Sequence, residues 1–219
     1  LAKIIARSRA VAKQLNQGVT HLMKKNKITV HMGEGTITAP GKLQVTAADS
    51  KKTELAAKHI IIATGARARE LPFAQSDGKR IWTYRHAMAP PEMPTELLVI
   101  GSGAIGIEFA SFYNDMGAKV TVVEMLDRVV PVEDAEVSDF LAKSLAKQGM
   151  TLLTSAGVES LKADAKGVAA KIKTKDGKVE EKRFSHCIVA VGIAPNTENI
   201  GLEKLGIKTT KGHIDTDAM

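Results

Sequence analysis

Six residues in the middle of the chain have the types and spacing of a phosphate-binding turn. The pattern G-x-G-x-x-G is matched by Gly101-Ser102-Gly103-Ala104-Ile105-Gly106. In such a turn the first glycine permits a tight bend, the second lets a pyrophosphate approach the backbone, and the third allows a helix to pack closely on a strand. Free backbone N–H groups and the positive end of the helix dipole then attract the phosphates. The motif predicts a dinucleotide site, and a glycine-rich packing turn without a ligand is the alternative.

A carboxylate follows at the distance that this kind of site requires. Glu124 ends the next predicted strand, 18 residues after Gly106. An acid there accepts hydrogen bonds from the adenosine ribose hydroxyls and repels a 2′-phosphate. Only one arginine, Arg128, is close to this position, so NAD is favoured over NADP. A surface glutamate at a strand end is the alternative. Glu108, in the first turn of the predicted helix, is either an acid favoured by the helix dipole or a residue that faces the cofactor.

The elements that must position these residues form a predicted β-α-β unit. A strand over Leu97–Ile100 leads into the glycine turn, a helix runs from Ala104 to about Met116, and the next strand is Lys119–Val123. A second helix is predicted over residues 135–148, and an amphipathic helix over residues 1 to about 25 with Gly18 as a candidate break. Further strands are predicted at residues 28–31, 35–38, 43–46, 59–64, 151–153, 168–174, 179–184 and 187–191, with a hairpin turn at 176–177.

Two segments of the chain resemble each other. Residues 59–65 (HIIIATG) and 186–192 (HCIVAVG) agree at four of seven positions, and a turn glycine precedes each, Gly41 and Gly167. Both copies therefore predict a hairpin-rich β insert that is followed by a buried strand and a glycine. Chance similarity between two β segments is the alternative. If the repeat is real, the glycine turn that would open the first copy falls before residue 1.

Composition excludes several classes. The 219 residues contain no apolar run long enough for a membrane span, and the single cysteine, Cys187, excludes an internal disulfide framework. The formal charge of +7 comes from scattered residues, and aromatic residues make up 4% of the chain, too few for a nucleic-acid stacking platform. The six histidines show no metal-ligand spacing, so no metal site is predicted.

Three segments together resemble the flavoprotein pyridine nucleotide-disulfide oxidoreductases, and within them the dihydrolipoamide dehydrogenase class. Residues 62–66 resemble the family's A-T-G segment, residues 101–124 its NAD domain, and residues 191–197 its G-x-x-P-N-T segment. The resemblance covers essentially the whole chain. It implies an α/β, Rossmann-like FAD/NAD(P)-binding fold with antiparallel three-stranded inserts. The domains implied are an NAD-binding domain at 67–193 and parts of an FAD-binding domain at 1–66 and 194–219.

The resemblance also implies roles for individual residues. Positions that line FAD in the family correspond to Gly35, Thr64, Gly65 and Ala66. The NAD pyrophosphate loop and the helix start facing the flavin correspond to Gly101, Ser102, Gly103, Ala104, Ile105, Gly106, Ile107 and Glu108. Glu124 corresponds to the ribose carboxylate, Val158 to an apolar contact with adenine, and Gly192 to a backbone contact near the nicotinamide ribose.

The departures from the family pattern predict a fragment. The first FAD glycine motif, the C-x-x-x-x-C redox pair, the G-D segment and the dimerisation domain with its catalytic His and Glu have no counterpart, so no catalytic residue is predicted. The resemblance implies an inactive piece of a parent that oxidises dihydrolipoamide through a disulfide and FAD, with NAD⁺ as acceptor. Such a parent is a homodimer in 2-oxo acid dehydrogenase complexes, acts on a lipoyl substrate, and is located in the bacterial cytoplasm or mitochondrial matrix. An NADH oxidase or mercuric reductase type of flavoprotein and a stand-alone, non-catalytic NAD-binding module are the alternatives.

Overall fold

The structure is a computed structural model that describes residues 1–217; the last two residues of the predicted segment 194–219 lie outside the described residues. The chain forms two compact units. The first consists of Leu1–Ile5 and Ala68–Ile193, and the second consists of Ala6–Arg67 and the chain from Ala194 onward. The helices are α1 (Ala2–Lys25), α2 (Tyr84–Ala87), α3 (Ala104–Asp115) and α4 (Ala135–Lys147), with a 3₁₀ turn at Glu203–Leu205. The strands are β1 (Glu34–Ala39), β2 (Lys42–Thr46), β3 (Lys52–Ala56), β4 (Ala66–Ala68), β5 (Ile81–Trp82), β6 (Glu96–Ile100), β7 (Lys119–Val123), β8 (Thr151–Leu153), β9 (Gly157–Asp164), β10 (Gly167–Lys173), β11 (Val179–Phe184), β12 (His186–Val189), β13 (Ile193–Pro195), β14 (Thr209–Thr210) and β15 (His213–Ile214).

A parallel five-stranded sheet is the centre of the first unit. Its strand order is β5-β12-β6-β7-β8, and every pair in it is parallel. Strands β6 and β12 are the continuous apolar runs that the sequence shows, and they lie in the interior of the sheet, where both faces are covered. The predicted strands at 97–100, 119–123 and 187–191 are thus confirmed, although β12 begins one residue earlier and ends two residues earlier than predicted.

The two faces of this sheet are covered by different layers. Leu97 and Val99 pack with residues of α3 such as Ala110 and Tyr113. Their neighbours Leu98 and Ile100 pack on the opposite face with apolar residues of β9, β10 and β11. Because successive side chains of a strand point to opposite faces, one apolar run supplies both layers of core.

Helices α3 and α4 begin and end where local signals place them. Asp134 caps α4 by accepting a hydrogen bond from the Glu136 N–H at 2.8 Å. Gly117 and Gly149 follow the two helices with φ of 97° and 94°, in the left-handed region that glycine adopts without strain. Both predicted helices are confirmed.

Each unit contains one three-stranded antiparallel sheet. In the second unit the order is β1-β2-β3, with the first turn at Pro40-Gly41. In the first unit the order is β11-β10-β9, with its first turn just before Gly167 and the predicted hairpin turn at Asp176-Gly177. The hairpin-rich inserts of the predicted repeat therefore have the same topology in both copies.

The predicted strand at 59–64, which should follow the first insert, is wrong. Residues 57–65 form no regular strand, and Ile61 is 91% exposed, whereas the matching segment forms the buried strand β12. A buried strand requires neighbours on both edges to bond its backbone, and no strand of residues 1–217 pairs with residues 57–65. The predicted strand at 28–31 is wrong for the same reason, and Ile28 and Val30 there are 51% and 57% exposed.

The first helix, α1, is longer and more exposed than an ordinary surface helix. It is continuous through Gly18, so the predicted break is wrong, and it contains no buried residue. Its apolar stripe, which includes Val11, Leu15 and Leu22, is about half exposed or more. No helix of residues 1–217 combines the length and the apolar character that crossing a bilayer demands.

A buried imidazole lies at the amino-terminal edge of the parallel sheet. His186, at the start of β12, is 1% exposed, and its ring lies 4.4 Å from the ring of Trp82. Its Nε2 is 3.1 Å from a guanidinium nitrogen of Arg80 and 3.1 Å from a carboxylate oxygen of Glu92. Burial is the main cause that lowers the pKa of His186 below its usual 6.5, and the nearby positive charge of Arg80 lowers it further.

Candidate functional site: a glycine-rich cleft

The glycine-rich turn joins the carboxyl end of β6 to the start of α3. Gly101 has φ of +96°, and a Cβ placed on it would lie 2.5 Å from the carbonyl oxygen of Ala190. A side chain is therefore excluded both by the backbone conformation and by the neighbouring strand. The Gly101 N–H donates to the Val123 carbonyl at 2.9 Å, which fixes the turn to the end of β7.

The other two glycines have contrasting surroundings. A Cβ on Gly106 would lie 2.1 Å from the carbonyl oxygen of Gly101, so α3 packs directly on the turn that precedes it. Gly103 is the N-cap of α3, and a Cβ built on it would meet nothing within 4 Å. The third glycine is thus required for packing, whereas the second leaves open space at the amino end of a 12-residue helix. In that space a phosphate would accept hydrogen bonds from the free N–H groups of the first turn of α3.

The carboxylate of Glu124 holds the turn from the neighbouring strand. Its Oε2 accepts hydrogen bonds from both the N–H and the hydroxyl of Ser102, each at 2.8 Å, and its Oε1 accepts from the Leu126 N–H at 2.9 Å. Ser102 is fully buried and Glu124 is 9% exposed. A carboxylate has about four acceptor positions, and three are taken, so capacity remains on Glu124 for about one further donor.

A long cleft of about 1310 Å³ runs along the carboxyl ends of the parallel strands. Its wall contains backbone of the glycine turn, the end of β7, the start of β9 and the turn between β10 and β11. The lining residues are Leu71, Phe73, Ile100, Gly101, Gly103, Ala104, Ile105, Val123, Glu124, Met125, Val132, Ser155, Ala156, Gly157, Val158, Glu159, Lys173, Thr174, Lys175, Gly177, Ala190, Val191, Gly192 and Ile193. Ligands of open α/β sheets bind outside the carboxyl ends of the strands, and this cleft is large enough for an extended ligand such as a dinucleotide.

Most of the predicted NAD residues are brought together by this cleft. Those that line it are Gly101, Gly103, Ala104, Ile105, Glu124, Val158 and Gly192. Three more, Ser102, Gly106 and Ile107, are buried beneath the turn and act on the cleft only through packing and hydrogen bonds. Glu108 is exposed on α3 and does not line the cleft.

The predicted FAD residues belong to the other unit. Gly35 is exposed in β1. Thr64 and Gly65 are exposed in the irregular segment that precedes β4, and Ala66 is the first residue of β4. Asn196 holds this segment: its side-chain amide donates to the Thr64 carbonyl at 3.1 Å, and its N–H donates to the Gly65 carbonyl at 3.0 Å.

Several cleft residues were not predicted from the sequence. The end of β10 contributes Lys173, the turn that follows contributes Thr174 and Lys175, and the start of β9 contributes Glu159. The only local signal was the Asp176-Gly177 hairpin, which predicts a turn but does not tell which part of the unit the turn faces. Among residues 1–217, no group of three or more metal-ligating side chains lies close enough to hold an ion.

The family model described as pyridine nucleotide-disulphide oxidoreductase matches residues 2–219. The chain belongs to this family. A dihydrolipoyl dehydrogenase of Zymomonas mobilis is 55% identical over 217 residues, which are 99% of this chain and 47% of that protein. The dihydrolipoyl dehydrogenase of Bacillus subtilis is 36% identical, over 98% of this chain and 47% of that protein.

A solved structure gives the same result for the fold. LpdA of Mycobacterium tuberculosis matches with a TM-score of 0.86 and 35% identity, over 96% of this chain and 46% of that one. The α/β fold of the pyridine nucleotide-disulphide oxidoreductases is therefore confirmed for this chain. The chain spans about half the length of the relatives that it matches.

Proposed function

We propose that this chain binds NAD in the glycine-rich cleft and belongs to a flavin-dependent enzyme that oxidises dihydrolipoamide, with NAD⁺ as the electron acceptor. The open N-cap of α3 carries the proposal. Gly103 leaves room for a ligand next to free N–H groups, while Gly101 and Gly106 fix the turn around it. The named relatives that match over nearly the whole chain are dihydrolipoyl dehydrogenases, which supports this substrate over the other flavoprotein types.

The residues of the cleft fit NAD along its length. The turn from Gly101 to Gly106 would hold the pyrophosphate, and Glu124, which keeps one unused acceptor position, would accept a hydrogen bond from the ribose hydroxyls. The apolar side chain of Val158 would contact the adenine, and the backbone at Gly192 would lie near the nicotinamide ribose. When bound, NAD⁺ supplies a hydride acceptor. The functional division of the chain into an NAD-binding domain and parts of an FAD-binding domain is a proposal of the same kind.

The dithiol part of the reaction is not assigned to a residue of this chain. These 219 residues contain one cysteine, Cys187, and it is fully buried in β12. Burial raises the pKa of this thiol far above its usual range, so it stays protonated and unreactive. Its place in the parallel sheet makes it a core residue.

For the second unit we propose a contribution to the FAD site. Gly35, Thr64, Gly65 and Ala66 would contact the flavin nucleotide, and the hydrogen bonds from Asn196 would hold the segment 64–66 in place for it. A homodimer, association with 2-oxo acid dehydrogenase complexes and a place in the bacterial cytoplasm or the mitochondrial matrix are proposed for the whole protein on the same family basis.

The NAD site is tested by titrating the chain with NADH and following nucleotide fluorescence. Gly103→Ala is the decisive variant, because its backbone, with φ of −64° and ψ of 177°, suits alanine and its Cβ meets no protein atom within 4 Å. The variant should fold like the parent chain and bind NADH at least about tenfold more weakly, since the methyl group occupies the space of a phosphate.

Gly18→Ala is the matched control, because it adds the same methyl group to α1, again with nothing within 4 Å. Its NADH affinity should equal that of the parent. The proposal is overturned if the folded parent chain does not bind NADH, or if Gly103→Ala binds it as tightly as Gly18→Ala does.

A further inference from the structure

The cleft contains two carboxylates, and the protein uses them differently. Glu124 is 9% exposed, and both of its oxygens accept hydrogen bonds from the protein. Glu159 is exposed, and its side chain makes no hydrogen bond or ion pair with any residue between 1 and 217. Glu124 is therefore engaged in holding the glycine turn, whereas the whole charge of Glu159 is available to a ligand.

A β-bulge lies at Glu159, in the part of β9 that lines the cleft. In the pairing of β9 with β10, Ser160 lies opposite Lys171 and Val158 lies opposite Ile172, so Glu159 is an extra residue without a partner. The bulge interrupts the regular alternation of side chains in β9, and Val158 and Glu159 both belong to the stretch 155–159 that lines the cleft. Bulges commonly redirect a side chain next to a binding site.

Hydrogen bonds place Glu159 near the end of the cleft where Glu124 lies. The Glu124 N–H donates to the Leu153 carbonyl at 2.8 Å, and the Ala156 N–H donates to the Glu124 carbonyl at 2.9 Å. Glu159 follows Ala156 by three residues, a separation of at most roughly 10 Å. Both carboxylates thus belong to the end of the cleft assigned to the adenosine half of the cofactor.

Two lysines on the same wall have the opposite charge. Lys173, at the end of β10, pairs in register with Gly157 and lines the cleft, as does Lys175 in the turn that follows. Neither lysine makes an ion pair within the described residues 1–217. The wall around Glu159 therefore combines one unpaired negative charge with two unpaired positive charges.

We infer that Glu159 is a specificity-determining residue that weakens the binding of a dinucleotide with a 2′-phosphate, and that Lys173 and Lys175 act in the opposite sense. This inference rests on the proposed NAD site. A 2′-phosphate is nearly a dianion, and if it were bound about 8 Å from a carboxylate in a water-like medium, Coulomb repulsion would weaken its binding about fivefold. Removal of this carboxylate leaves Glu124 as the remaining acid near the two lysines, so the balance of charge should shift towards the phosphate.

The test measures the dissociation constants of NADH and NADPH for the chain, its Glu159→Gln variant and a matched control. Glu181→Gln is the control because it removes the same charge from an exposed position of the same antiparallel sheet outside the cleft. Glu159→Gln should tighten NADPH about fivefold relative to NADH, and about 1 M salt should remove most of that difference by screening. Lys175→Gln should shift the ratio in the opposite direction.

Thermal melts of every variant identify those that are folded, and Lys175→Gln provides a second test if Glu159→Gln does not fold. If the parent binds NADH and Glu159→Gln leaves the NADPH to NADH ratio equal to that of Glu181→Gln, the inference is wrong while the proposed NAD site stands. A Lys175→Gln variant with an unchanged ratio also contradicts it. A parent chain that binds neither nucleotide overturns the proposed function and the inference together.

Discussion

Truncation of Glu124 should unfold the first unit more easily, in addition to weakening nucleotide binding. Glu124→Ala removes the acceptor of three hydrogen bonds: two from Ser102 at 2.8 Å and one from the Leu126 N–H at 2.9 Å. Because Ser102 is fully buried, its N–H and hydroxyl lose their partner where little water reaches them. A structural effect is therefore expected in the absence of any cofactor.

The magnitude follows from which donors remain without an acceptor. A buried donor without a partner costs about 1–3 kcal/mol, whereas a donor that water can reach costs little. The Leu126 N–H lies beside a half-exposed side chain, so water can replace its acceptor. The Ser102 hydroxyl can rotate towards water that enters the space left by the glutamate, which leaves the Ser102 N–H as the main loss. We expect Glu124→Ala to lower the free energy of unfolding by about 2–3 kcal/mol.

Urea unfolding at constant pH measures this effect on the correct unit. The chain has one tryptophan, Trp82, and it is fully buried in the first unit. Its fluorescence therefore reports the unfolding of the unit that contains the glycine turn. A drop of 2–3 kcal/mol should appear as a lower midpoint with an unchanged slope, because the surface exposed on unfolding is nearly the same.

Ser102→Ala and the double variant separate the contact from general disturbance. Ser102→Ala removes the hydroxyl and retains the backbone bond to Glu124, so it should cost about 1 kcal/mol. The double variant should lose less free energy of unfolding than the two single variants lose together, and the difference should be at least about 0.5 kcal/mol. A Glu124→Ala chain within about 0.5 kcal/mol of the parent, or costs that are strictly additive, would refute the role of Glu124 as the residue that holds the turn.

Three further results are expected. Gly106→Ala should destabilise the first unit by about 2 kcal/mol or more and abolish NADH binding, because its Cβ would lie 2.1 Å from the Gly101 carbonyl oxygen; a urea midpoint equal to that of the parent would contradict this. The pKa of His186 is lowered in the folded chain by burial, so the unfolded chain binds more protons below the usual pKa of 6.5. Stability should therefore fall as the pH is lowered from about 6.5, and the urea midpoint of His186→Gln should depend less on pH in this range. A urea midpoint of the parent chain that stays constant from pH 7 to 5 would show the assignment to be wrong. Tyr113→Phe removes the donor to the Ala87 carbonyl, a bond of 2.7 Å, and should cost about 1–2 kcal/mol in the same assay, while a loss near zero would mean that water satisfies this carbonyl.

The first unit could be predicted well from the sequence because its signals are local. The turn from Gly101 to Gly106, the glycines that follow α3 and α4 and the apolar run of β12 each fix backbone conformation or burial within a few residues. Hydrogen bonds and packing then act in the same direction as these local preferences. For the same reason the sequence alone predicts that Gly101, Gly103 and Glu124 belong to one dinucleotide site.

The errors occurred where structure depends on distant partners. The apolar run at 59–64 has the composition of a buried strand, but composition does not show whether neighbouring strands exist, and none of residues 1–217 pairs with it. Glu159 and Lys175 were missed because their place in the cleft depends on a bulge and on the direction of a hairpin. Both are properties of strand register that one-dimensional patterns do not record.

The glycine turn also bears on the entropy of binding. The backbone of α3 at Gly106 packs directly on the backbone of Gly101. The backbone of Gly101 in turn packs directly on that of Ala190, with no side chain between them. The surface offered to a phosphate therefore has almost no rotamers to lose when a ligand arrives. Immobilising one flexible side chain on binding costs about 0.5–1.5 kcal/mol, and this turn avoids that cost for every donor that it presents. Recognition of the phosphates at this position should thus depend on a surface that is already ordered in the free protein.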